Sequence, residues 1–144
     1  MNVPTYLSGT VFMKSYRILR GQVVQALAKY GLTPTSWSLL GIVVSSPDGI
    51  RLKEVASRLG VKAPLVTMIT HSLIERALVE RMPHHLDKRA KLLVITTKGR
   101  RFIKTVEQDL GGELAFLLRG LSAEDMATYK RVLDTIIRNG SEAS

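Results

Sequence analysis

The hydrophobic pattern of this chain is helical along most of its length but changes to that of short strands over residues 78–95. Runs at residues 78–82 and 91–95 carry Leu, Val or Ile, and the loop between them, Pro83–Ala90, is mostly polar. Elsewhere apolar residues recur at spacings of three and four, which is typical of amphipathic helices. The sequence therefore predicts an α+β fold that is mostly α, with one small hairpin.

Four helices are predicted before the hairpin, over residues 6–30, 34–44, 52–59 and 64–76. Gly31 and Gly60 follow the first and third of them, where glycine commonly ends a helix. Thr33 is the expected N-cap of the second helix, with Pro34 at its first position. Ser-Pro-Asp-Gly at residues 46–49 predicts a turn.

Two helices are predicted after the hairpin. Thr96 or Thr97 is expected to cap the first, and Gly111–Gly112 should weaken or bend it. Ser122 and Asp125 resemble a capping box that starts the last helix. We expect this helix to bury its apolar stripe, which consists of Met126, Tyr129, Leu133 and Ile136 or Ile137.

Composition excludes several classes of protein. The chain has 144 residues, of which 45% are hydrophobic, and this favours one folded domain over disorder. Without cysteine it can form no disulfide, thiolate metal site or thiol redox sensor. Residues 1–6 do not have the pattern of a secretion signal, and the uncharged run 30–47 contains Pro34 and Pro47, which argue against a membrane span. We therefore expect a cytoplasmic protein.

The net charge of +9 is concentrated in one part of the chain. Residues 51–104 hold 13 Lys or Arg against 4 acidic residues, whereas the rest of the chain is balanced. A solvated basic face is one interpretation. A localised basic segment in a folded domain more often indicates a polyanionic partner, most commonly nucleic acid.

Residues 52–78 have the pattern of a helix-turn-helix, with a small Ala56 and a turn at Gly60. On the second helix Val66, Ile69 and Leu73 share the face that should form the core. The opposite face would lie in the major groove, where polar side chains reach base edges. Its candidate DNA-binding residues are Lys62, Pro64, Thr67, Met68 and His71, unless this is an ordinary surface helix.

The hairpin would act as the wing of this unit. Like charges at its tip, Lys88, Arg89 and Lys91, stabilise nothing by themselves but suit a narrow, electronegative minor groove. Asp87, two residues from Arg89, could hold it in one orientation, and Arg81 completes the candidate DNA-binding set. The alternative is an exposed turn with an incidental salt bridge.

The residues of this unit resemble the multiple antibiotic resistance regulator (MarR) family of winged helix-turn-helix proteins. Asp-Lys-Arg at residues 87–89, followed by Ile-Thr-Thr-Lys-Gly at 95–99, looks like the family's wing signature, Asp-x-Arg and then Leu-Thr-x-x-Gly. Residues 32–34, residues 52–56 and the spaced Leu and Val residues of 73–79 also match. The resemblance covers nearly the whole chain.

The resemblance implies a recognition helix at about 63–76, a wing at about 78–95 and a DNA-binding lobe over residues 34–95. It further implies a homodimer that binds double-stranded DNA at an inverted-repeat operator, acts as a repressor, and responds to a small, often phenolic, effector. The chain departs from the pattern at Lys62, at Met68 and His71, and at Ala77, which replaces the usual glycine before the wing.

The terminal helices, residues 6–30 and 98–140, are too apolar to bury well within one chain, and this also favours a homodimer. The candidate interface residues are Phe12, Tyr16, Leu19, Leu114, Leu117, Tyr129, Leu133 and Ile136.

Enzymatic interpretations are weaker. His84 and His85 are adjacent, so on an extended segment their side chains should point apart, and a metal site with Asp87 is not favoured. No phosphate-binding glycine loop or activated nucleophile is present at a recognisable spacing. We expect no enzyme activity, cofactor or metal. A protein–protein adaptor with a degenerate winged helix, and a regulator of another winged-helix family, remain alternatives.

Overall fold

The computed structural model describes residues 5–87 and 89–143, apart from the side chains of residues 7 and 8. The elements follow the order α1 (Thr5–Ala28), α2 (Pro34–Val44), β1 (Ile50–Arg51), α3 (Leu52–Leu59), α4 (Ala63–Glu75), β2 (Val79–Pro83), β3 (Lys91–Ile95), α5 (Thr97–Leu118) and α6 (Ala123–Glu142). The predicted α+β class, mostly α, is confirmed.

The helix ends follow the local signals in the sequence. The Thr33 hydroxyl accepts a hydrogen bond from the Ser36 amide at 3.1 Å, and Ser36 Oγ accepts from the Thr33 amide at 2.8 Å. Gly60 ends α3 at a φ of 66°, in the left-handed region that favours glycine. The predicted capping box at the start of α6 is also present, between Ser122 and Asp125.

One strand was not predicted. The two residues of β1 pair antiparallel with β3, with Ile50 opposite Leu93, and the sheet order is β1-β3-β2. Two residues carry no detectable period, so only the partner strand defines them as a strand. The hairpin therefore gains a third strand that connects it to the start of α3.

The core lies where α2, α3, α4 and the sheet meet the second half of α1 and the first half of α5. Its most deeply buried side chains include Leu27, Leu39, Leu40, Val43, Val55, Val66, Leu73, Leu78, Leu93 and Val106. Because Val66 and Leu73 belong to α4, one face of this helix is held by the core and the opposite face is free.

The chain divides into two compact units, one ending at Leu114 and one beginning at Ala115. No residue of α6 is buried, and the exposed fractions of Tyr129 and Ile136 are 44% and 61%. The stripe of this helix is therefore not buried within a single chain, and its burial against a second chain stays a prediction. Gly111 and Gly112 do not interrupt α5, which is helical to Leu118.

Within residues 5–87 and 89–143, no helix has both the length and the apolar character needed to cross a bilayer.

Candidate nucleic-acid interface

Helix α4 presents the polar face that the sequence indicates. Val66, Ile69 and Leu73 are buried on its inner side. The outer side exposes all five predicted residues, Lys62, Pro64, Thr67, Met68 and His71. Thr67 and His71 are one helical turn apart and therefore project in the same direction. This face can offer a hydroxyl, an imidazole and an ammonium group to a ligand.

The C-terminal end of α4 has a Schellman-type closure. The Leu78 amide donates to the Leu73 carbonyl at 3.0 Å, and the Ala77 amide donates to the Ile74 carbonyl at 2.8 Å. Ala77 takes a φ of 55°, which is unusual for a residue with a Cβ. The glycine expected before the wing is thus replaced by a residue for which the same conformation is strained.

Hydrogen bonds within the loop fold the tip of the hairpin. The His84 amide donates to the Ala90 carbonyl at 3.0 Å, and His84 Nδ1 accepts from the amides of Leu86 and Asp87. Lys88 lies outside the described residues. The remaining basic residues of the wing, Arg81, Arg89 and Lys91, are all exposed.

The structure bears on two expectations about this tip. Asp87 does contact Arg89, but its Oδ1 accepts from the Arg89 backbone amide at 3.0 Å instead of holding the guanidinium. The rings of His84 and His85 do not point apart but stack, with centroids 4.9 Å apart and planes at 14°. The rings stack because the segment bends into a turn, whereas the expectation for the two histidines assumed extended backbone.

The basic residues of this surface are not neutralised by neighbours. In the described part of the chain the ion pairs join Lys29 to Glu113, Arg58 to Glu54, and Lys130 to Asp134. None involves Lys62, Arg81, Arg89 or Lys91, whose charges face solvent. A surface of this kind attracts a polyanion from a distance.

The Thr-x-x-Gly segment has a structural role that the sequence did not indicate. Thr96 Oγ1 accepts from the Gly99 amide at 2.9 Å and donates towards the carbonyls of Ala77 and Leu78, at 2.7 and 3.1 Å. Thr96, not Thr97, therefore caps α5. Gly99 is buried, and a Cβ on it would lie 2.1 Å from the Leu78 carbonyl oxygen. This segment fixes α5 against the end of α4 and the base of the wing.

No cluster of three or more His, Asp or Glu that could hold a metal ion occurs among the described residues.

The candidate interface residues lie in both compact units. In the first, Phe12 and Tyr16 are each 49% exposed, their rings stack at 6.5 Å, and Leu19 and Leu114 are half-buried. In the second, Leu117 and Leu133 are half-buried, whereas Tyr129 and Ile136 are exposed.

A model of the MarR family matches residues 30–90, which include α2, the helix-turn-helix and most of the wing. Over these residues the chain is similar to the MarR family. The resemblance seen in the sequence is thereby confirmed over residues 30–90, and the winged helix-turn-helix fold is confirmed as well.

Solved structures extend the MarR fold to nearly the whole chain. A MarR-family transcriptional regulator from Rhodococcus sp. RHA1 is 22% identical, with a TM-score of 0.78 over 94% of this chain and 96% of the other. CouR from Rhodococcus jostii RHA1, bound to p-coumaroyl-CoA, is 24% identical, with a TM-score of 0.77 over 89% and 90%. A mutant MarR from E. coli complexed with operator DNA is 22% identical, with a TM-score of 0.72 over 89% and 91%.

Proposed function

We propose that this chain is a repressor that binds an inverted-repeat operator as a homodimer, acts in the cytoplasm and is released by a small aromatic effector. The observation that carries the proposal is the pairing of a free polar face on α4 with an exposed, un-neutralised basic wing, on two elements that contact each other. Major-groove and minor-groove contacts require those two kinds of surface.

Helix α4 supplies the base-reading residues. Lys62 precedes the helix, Thr67 and His71 follow along the outer face, and the 63% exposed Met68 lies between them. Lysine donates hydrogen bonds to guanine, a threonine hydroxyl can either donate to or accept from a base edge, and an apolar side chain packs against a thymine methyl group.

The wing supplies affinity with little base specificity. Arg89 inserts in the minor groove, and Asp87 positions it through the backbone by fixing the turn on which Arg89 is carried. Arg81, Lys88 and Lys91 contact phosphates.

The homodimer forms through the terminal helices. Apolar side chains on α1 and α6 that are 44–61% exposed, Phe12, Tyr16, Tyr129 and Ile136, support this proposal, because a stable soluble chain rarely leaves such stripes uncovered. Two copies would present their α4 helices about one turn of DNA apart, which matches an inverted repeat.

An effector site is supported by two observations. CouR, which shares the fold, was solved with p-coumaroyl-CoA bound. In this chain a cleft of about 200 Å³ separates the start of α2 from α4 and is lined in part by Met68, Ser72 and Arg76. A ligand in that cleft would touch the base-reading helix directly.

The test begins with selection of bound fragments from genomic DNA, followed by competition binding on the selected operator and on random DNA. Arg89→Ala should weaken binding to both DNAs by about 1–3 kcal/mol and make the salt dependence shallower. Thr67→Ala or His71→Ala should weaken operator binding while random-DNA affinity stays nearly constant.

Arg138→Ala is the matched control, since it removes an equal charge from α6. If the dimer neutralises roughly 6–10 phosphates, log K against log salt should slope by about −5 to −9. A wild-type protein that shifts no DNA would favour the adaptor interpretation. Wild-type affinities for Arg89→Ala on both DNAs would show that the wing assignment is wrong.

A further inference from the structure

Arg76 is the last residue before the Schellman closure of α4, and its side chain leaves the DNA-binding lobe. Nη2 donates to the Tyr30 carbonyl at 2.7 Å, and Nη1 donates to the Gly31 carbonyl at 3.3 Å. Both carbonyls belong to the turn that follows α1, near the end of the helix where the dipole is negative and a cation is stabilised. One side chain thus connects the end of α4 to the end of α1.

The same guanidinium lies over an aromatic ring of α5. Its Cζ is 5.1 Å from the centre of the Phe102 ring, within the range of a cation–π contact. The Tyr30 ring meets Phe102 edge-on at 5.9 Å, and the Tyr30 hydroxyl donates to Asp109 at 2.5 Å, which raises the pKa of Tyr30. Arg76 therefore contacts a group of side chains that itself joins the turn after α1 to α5.

The backbone carbonyl of Arg76 also accepts a hydrogen bond from α5. Lys98 Nζ, in the first turn of α5, donates to the Arg76 carbonyl at 2.9 Å. No acidic side chain pairs with Arg76 in the described part of the chain. Its charge is balanced by two carbonyls and a ring, and a planar guanidinium suits that combination better than an ammonium group does.

We propose that Arg76 is a positioning residue that sets the orientation of α4 relative to α1 and α5, and hence the half-site spacing that the dimer accepts. This inference rests on the proposed function, because spacing has a meaning only for a dimer that reads two half-sites. The inner face of α4 is held by the core through Val66 and Leu73, independently of Arg76. Loss of Arg76 should therefore leave the helix intact but loosen its angle to the dimer helices.

The test measures affinity for three DNAs: two half-sites at the selected spacing, the same half-sites with one extra base pair, and one half-site alone. Wild type should prefer the selected spacing by tenfold or more. Arg76→Met, which keeps length and removes every donor, should reduce that preference to threefold or less while changing single-half-site affinity by less than twofold. The spacing preferences of Arg76→Lys and Phe102→Leu should lie between those of wild type and Arg76→Met.

Arg101→Met is the matched control. Arg101 is exposed on the face of α5 away from the core, and it should keep the wild-type spacing preference after substitution. A purely structural role for Arg76 would instead lower affinity for all three DNAs together, and this result would overturn the inference. An unchanged spacing preference in Arg76→Met would also overturn the inference. If the methionine variant does not fold, an unchanged spacing preference in Arg76→Lys and Phe102→Leu would overturn it instead. A wild-type protein without any spacing preference would overturn the proposed dimeric operator binding itself.

Discussion

Gly99, in the first turn of α5, is the position where one added methyl group tests the structure most directly. A Cβ there would lie 2.1 Å from the Leu78 carbonyl oxygen and 2.7 Å from Cδ1 of Ile95. Ile95 can rotate away, but the Leu78 carbonyl cannot, because the Thr96 amide and hydroxyl both bind it at 3.1 Å. Since real Cβ contacts almost never fall below 3.0 Å, Gly99→Ala must move backbone by about 1 Å.

Two effects of this substitution oppose each other. Alanine is a better helix former than glycine by about 1 kcal/mol. Overpacking against atoms that cannot yield costs about 1–3 kcal/mol, and more where backbone must shift. The steric cost is the larger, so we expect Gly99→Ala to lower the free energy of unfolding by about 2 kcal/mol and the Tm by roughly 4–8 °C.

Urea unfolding followed by circular dichroism, at one fixed protein concentration because a dimer is expected, measures this change. Gly112→Ala is the matched control in the same helix. A Cβ at residue 112 meets nothing within 4 Å, so this variant should gain up to about 1 kcal/mol. Gly99→Ala with stability equal to wild type would refute the close approach of α5 to Leu78.

Three further predictions concern the conformation of Ala77, the ion pair of Glu113 and the oligomeric state. Ala77→Gly removes the strain of a 55° φ and should raise stability by about 0.5–1 kcal/mol in the same assay, whereas a loss would contradict the left-handed assignment. Lys29 lowers the pKa of Glu113 below its ordinary 4.5 through a hydrogen bond and charge attraction, so the contribution of this pair is present above pH 4.5 and is lost as pH falls through the folded pKa. Glu113→Gln should therefore lower the Tm at pH 6, and this deficit should shrink as the pH is lowered. Sedimentation at micromolar concentration should give twice the 15.9 kDa chain mass, and a monomer would refute the paired half-site model.

Local signals in the sequence were sufficient for most of the secondary structure. The capping boxes at Thr33 and Ser122 are formed by side chains three residues apart, and the end of α3 follows from the adjacent Gly60. The face of α4 follows from helical geometry alone, because Val66, Ile69 and Leu73 can share only one side. These features depend on residues that are close in the chain, and the sequence pattern shows such residues directly.

The features that the sequence did not give depend on distant partners. β1 exists because Ile50 pairs with Leu93, and Arg76 contacts carbonyls 45 and 46 residues away. The stacking of His84 on His85 arises from a bend that periodicity does not describe. In each case the residue types are unremarkable, and only the fold brings them together.

The end of α4, the base of the wing and the start of α5 share one set of contacts, and this has a mechanical consequence. Thr96 binds the carbonyls of Ala77 and Leu78, Gly99 allows α5 to lie against Leu78, and Lys98 binds the carbonyl of Arg76. We therefore expect a rotation at the start of α5 to move α4 and the wing together, because these contacts join all three. If α4 and the wing bind DNA as proposed, a ligand that tilts α5 would displace both contacts at once. Such coupling would let a modest change near the proposed dimer helices release the proposed major-groove and minor-groove contacts in one step.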